Sequence, residues 1–138
     1  MVKIVLGVIA GFVAWSILWV GSDQVLMTAS PNWYGAHQLG FEKAITNGES
    51  FTADTTILVM HLVRSAIVSI MSGFLAAFIA GENRRAPMIL GVALLLVGIA
   101  VEAYAWNYAP AWYHVLFVLL LIPMTMLGGK LKQDPATP

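Results

Sequence analysis

Five polar side chains stand inside stretches that are otherwise apolar: Asp23, His61, Arg64, Glu102 and His114. Arg64 is the most informative. A lone guanidinium at the centre of a membrane helix costs about 2.5–3.5 kcal/mol on insertion scales, so it calls for a carboxylate or an anionic ligand. Glu102 and Asp23 are the carboxylates within the apolar runs, and the expectation is a pair with Glu102 in preference to Asp23. Two readings of the group follow. In one, Arg64 belongs to a structural ion pair that fixes helix packing. In the other, the five residues line an outward-facing polar pocket, in which Arg64 holds an anionic group and His61 and His114 form protonatable walls.

Two histidines on separate helices also suit a b-type haem, with Arg64 near a propionate, and His61, His114 and Glu102 could together hold a metal. Spacing alone does not select either. His37 lies in a polar loop and reads as a solvated side chain. There is no cysteine, which rules out disulfides and thiolate chemistry. No Walker loop, dinucleotide-binding glycine turn, HExxH pair or nucleophile elbow is present, so a non-enzymatic role is expected.

Four segments must position these groups: about 4–27, 55–80, 87–106 and 111–127. Each approaches the ~20 residues that a helix needs to cross a ~30 Å hydrocarbon core. The chain is 59% hydrophobic and 10% charged. A soluble domain of this size has too little interior for that apolar content, so lipid is the solvent and all four segments are helices. The expected fold is an all-α, four-helix transmembrane bundle in a single domain, 1–138. The long first segment, followed by Pro31, reads as a retained helix rather than a cleaved leader. Zero net charge gives no reason to expect a nucleic-acid partner.

Lys3, Arg84, Arg85, Lys130 and Lys132 flank one side of these segments and Lys43 the other. That asymmetry places both termini in the cytoplasm and residues 28–53 in an outer loop, in a bacterial cytoplasmic (inner) membrane. Counting ~1.5 Å per residue along each helix then brings all five polar residues to similar depth near the outer side.

The phrase "PNWY" at 31–34 returns as "PAWY" at 110–113, and "LGV" at 6–8 returns at 90–92. An aromatic interface belt with a proline helix-stop accounts for the first pair. Duplication of a two-helix unit, giving two parallel halves, accounts for both. Trp33 and Tyr34 are expected to form part of a lid over the pocket, and "FEKAI" (41–45) a short surface helix.

On helix two, His61, Ser65, Ser69, Gly73, Ala77 and Gly81 recur every four residues, a small-residue ridge that admits close helix approach. Gly7 and Gly11 on helix one are its expected partner. Pro123 should kink helix four, with Thr125 near enough to satisfy a freed carbonyl. The functional expectation is a small transporter or ligand-binding accessory subunit, working as a homodimer or within a larger membrane complex. Its rivals are a purely structural subunit and a haem protein or membrane enzyme built on His61 and His114.

Overall fold

The computed structural model describes residues 1–133. They are all-helical, without strands among the described residues. Four helices are long and apolar enough to cross a membrane: α1 (Val2–Ala29), α3 (Thr55–Ala80), α4 (Arg85–Tyr104) and α5 (Ala111–Leu131). A fifth, α2 (Ala36–Asn47), lies between α1 and α3. The surface helix expected over 41–45 is therefore three turns long and begins five residues earlier.

Local chemistry sets the ends. Pro31 cannot continue the hydrogen-bonding of α1, and the chain passes through a π turn, Pro31–Gly35, in which the Gly35 N–H donates to Ser30 O at 2.9 Å. Gly48 closes α2 at φ +71°, and Gly81 closes α3 at φ +72°, conformations that suit glycine. Asp54 caps α3 by accepting from the N–H groups of Thr56 (2.8 Å) and Ile57 (3.3 Å). Glu82 accepts from the N–H groups of Arg84, Arg85 and Ala86 at 2.9, 2.8 and 2.6 Å. Those bonds start α4 at Arg85, two residues before the expected boundary. The expected end at 106 falls instead in a 3-10 turn, Trp106–Tyr108. Pro123 lies inside α5, which nevertheless continues to Leu131.

α3 packs against both α1 and α5, and α4 packs against α5; α1 meets α4 along a shorter seam. The short 81–84 turn thus does not make α3 and α4 principal partners. Close approach comes from glycine. A Cβ on Gly73 would run into the Thr125 carbonyl, and one on Gly128 into the Ile70 carbonyl. The α3–α5 contact is therefore reciprocal, each helix setting a glycine against the other's backbone. The ridge of α3 is buried from His61 through Ala77, whereas Gly81 is exposed. Gly7 and Gly11 do pack on α3, but on the adjoining row of Ser72, Ala76 and Ala80. Thr125 Oγ1 donates to Leu121 O at 2.5 Å, not to the Leu119 carbonyl that Pro123 leaves unpaired.

Candidate functional site

The five intramembrane polar residues separate into two groups. Asp23 and Arg64 form the first, together with Tyr34. Arg64 Nη1 donates to the Tyr34 hydroxyl at 2.6 Å, and that hydroxyl donates to Asp23 Oδ1, also at 2.6 Å. Arg64 Nη1 lies 3.8 Å from Asp23 Oδ1. Nε donates to Ser22 Oγ at 3.0 Å, and Nη2 to Trp19 O at 2.8 Å. The guanidinium also lies over the Trp19 ring, 4.1 Å from its centroid. Its charge is met from within the protein, by Asp23 and not by Glu102. The reason is packing: α1 runs beside α3 at this depth, while α4 is held by α5.

Glu102 and His114 form the second group. His114 Nδ1 and Glu102 Oε2 share a hydrogen bond, and His114 Nε2 meets Trp106 O at 3.2 Å. Both residues are buried. Since a carbonyl only accepts, Nε2 carries a hydrogen, and one further proton lies between Nδ1 and Oε2. The pair is neutral as a unit, and Glu102 Oε1 is left as an acceptor.

His61 stands between the groups. Its Nδ1 is 2.9 Å from Arg64 Nη1. Arginine only donates, so His61 Nδ1 accepts and Nε2 carries the hydrogen. Tyr34 and Tyr113 approach this imidazole, with ring centroids at 5.8 and 6.3 Å. These are the tyrosines of the two Pro-x-Trp-Tyr phrases. The matching tryptophans, Trp33 and Trp112, are 43% and 41% exposed. The repeated phrase thus turns its tryptophan outward and its tyrosine toward one histidine, a use that the belt reading does not account for.

Beside this cluster lies a cavity of ≈ 290 Å³. Trp15 and Trp19 of α1 line one wall, stacked at 5.3 Å. Leu94, Gly98 and Val101 of α4 and Tyr113, Phe117 and Leu121 of α5 line the others, with Leu58 and His61 from α3. Its cover is His37, Gln38 and Phe41 of α2 with Phe51 and Ala53. His61, Glu102 and His114 border the cavity, whereas Arg64 and Asp23 lie outside its lining.

The expected lid needs the same correction. Neither Trp33 nor Tyr34 lines the cavity. Tyr34 is fully buried in the arginine cluster, and Trp33 Nε1 donates to Asp54 Oδ2 at 3.0 Å. Burial and the hydrogen bond to Asp23 raise the Tyr34 hydroxyl well above the ordinary tyrosine range, which keeps its proton in place as a bridge.

His37 is no solvated loop residue. It accepts from the Asp54 N–H through Nε2 at 3.1 Å, so Nδ1 donates to Gln38 Oε1 at 2.9 Å. Gln38 Nε2 in turn donates to Asp23 Oδ1 at 3.0 Å. The cover is tied by this chain to the arginine cluster. Asp54 is held below the ordinary carboxylate range, first by the Trp33 hydrogen bond.

The aromatic walls are what residue-type reasoning missed. Trp15 and Trp19 stand four residues apart in mid-span, away from the interface positions where tryptophan is enriched, and that misplacement was a usable signal. The haem reading gains no support, since Arg64 engages Nδ1 of His61 and both His114 nitrogens have partners. No cluster of three or more metal-ligating side chains occurs among the described residues. No family model, curated protein or solved structure matches this chain.

Proposed function

We propose that the chain is an integral membrane binding protein that holds one small, mainly apolar molecule in the cavity beneath α2. The observation behind this reading is the cavity itself: ≈ 290 Å³, walled by aromatic and aliphatic side chains from all four long helices, with a few polar groups on one side. Ligand sites are typically concave, mostly apolar and about 300–1,000 Å³. An anion is not the favoured occupant, because Arg64 is engaged elsewhere. A ligand-binding accessory subunit fits better than a transporter, for which one copy offers few helices to enclose a pathway, so transport would require a homodimer or a larger complex.

The basic residues orient the protein with both termini in the cytoplasm and the cavity toward the outer side of a bacterial cytoplasmic membrane. The two halves run parallel. In support, Gly7 of the first LGV packs on Ala76 and Ala80 of α3, and Gly91 of the second packs on Ile122 and Thr125 of α5. Single cysteines at Gly48 and Gln133 test the orientation, since the chain has none. An impermeant thiol reagent on intact cells should label position 48 alone.

Trp15 and Trp19 report on occupancy. Bromobenzene, a heavy-atom quencher, should quench tryptophan emission with a saturable component in lipid nanodiscs. A Trp15→Phe/Trp19→Phe variant should retain only the linear component from lipid-facing tryptophans. Strictly linear quenching of the wild type would count against the binding role.

A further inference from the structure

The donors and acceptors that border the cavity say which polar group an occupant should carry. Glu102 Oε1 accepts, whether the shared proton rests on the carboxyl or on His114, because that proton lies at Oε2. His61 Nε2–H donates and has no hydrogen-bond partner among the described residues. The Tyr113 hydroxyl, also without a partner there, can do either. Tyr113 ties these groups together: its ring centroid lies 6.3 Å from that of His61 and 5.5 Å from that of His114. A hydroxyl both donates and accepts, so it matches a set of one acceptor, one donor and one group that can be either. A carbonyl cannot donate to Glu102, and a carboxylate would meet the carboxyl oxygen with no free cation to offset it.

The rest of the cavity selects the body of the molecule. At its inner end Phe12, Leu94 and Leu121 present only apolar surface, and the flanking Trp15, Trp19 and Phe117 rings suit a flat partner. Val97 and Val101 line the wall yet remain 47% and 54% exposed. These two side chains thus stand between the cavity and the exposed face of α4.

We propose that this site takes an uncharged aromatic alcohol of one or two rings, its hydroxyl between Glu102, His61 and Tyr113 and its ring directed toward the bilayer centre. The molecule enters from the lipid phase past Val97 and Val101. This rests on the binding role proposed above and adds the chemical class.

Three matched probes separate the two claims: 2-naphthol, naphthalene and 2-naphthoate, measured by equilibrium dialysis on nanodiscs at pH 7 with empty nanodiscs subtracted. A site built to pair a hydroxyl loses at least about tenfold in affinity when that group is missing. The expected order is 2-naphthol saturable and at least about tenfold tighter than naphthalene, with 2-naphthoate weakest. Glu102→Leu should bring 2-naphthol down to the naphthalene level while naphthalene binding persists, which also shows that the variant is folded. Val101→Trp, which blocks the wall, should weaken both. Equal affinity for naphthol and naphthalene, or preference for the carboxylate, overturns the hydroxyl assignment and leaves the binding role standing. No saturable binding of any probe to the folded wild type overturns both.

Discussion

At the residue scale, Arg64 shows how far chemistry can be read before the fold is known. Its cost in a membrane demands a counter-charge, and only two carboxylates stood in the apolar runs. Which of them it meets depends on which helices are neighbours, and residue types do not carry that information. The partner is Asp23, with Tyr34 bridging, and the paired groups are largely shielded at 11% and 22% side-chain exposure. Removing one member of a buried pair costs about 3–5 kcal/mol, and removing both costs less. Arg64→Leu should lower the melting temperature in detergent sharply. Asp23→Leu added to it should restore part of the loss, and Glu102→Leu added instead should restore none. Recovery with Glu102 alone would refute the pairing. The same limit explains the lid: Trp33 and Tyr34 were legible as aromatics near a polar cluster, but the π turn that buries Tyr34 leaves no sequence signature beyond Pro31.

At the scale of the elements, the four long helices were legible because apolar length alone specifies them. The 55–80 segment matches α3 at both ends. Ends were less legible: α5 runs four residues beyond its expected end, and the α4 start is shifted where Glu82 opens the helix. Burial works to raise that carboxyl, but the N–H groups of Ala86, Arg85 and Arg84 outweigh it and hold Glu82 below its ordinary value of 4.5. A depressed folded-state value stabilises the protein above pH 4.5 and ceases to do so as pH falls through the folded value. Glu82→Gln should cost about 1 kcal/mol near neutral pH, in the range of exposed caps. Its melting-temperature gap to the wild type should be constant well above pH 4.5 and close as pH falls through the depressed folded-state value. A gap independent of pH would mean that the charge contributes nothing. Helix pairing is less legible than helix existence, because small residues permit contact on several rows at once. The α3–α5 contact rests on Gly73 and Gly128, each facing a backbone carbonyl. Overpacking costs about 1–3 kcal/mol, so Gly73→Val and Gly128→Val should each destabilise by at least that much. Gly21, with open space around it, should accept the same change with little effect on the melting temperature.

At the scale of the whole molecule, the sequence placed His61, Glu102 and His114 at one depth, and the structure brings all three to one cavity. It could not show that the charges of Arg64 and Asp23 are consumed by each other, which turns an expected anion pocket into an aromatic, uncharged one. Nor could it show the cover, since His37 and Gln38 acquire their roles only when α2 folds back over the helix ends. On the proposed function, a ligand resides in this cavity. The most direct test is a crystal of the protein soaked in 4-bromophenol and measured for anomalous scattering at the bromine edge. A bromine peak is expected among Phe12, Leu94 and Leu121, with the hydroxyl toward Glu102. A peak only in the groove of Leu26, Met60 and Arg64, between α1 and α3, or none inside the protein, would contradict that function.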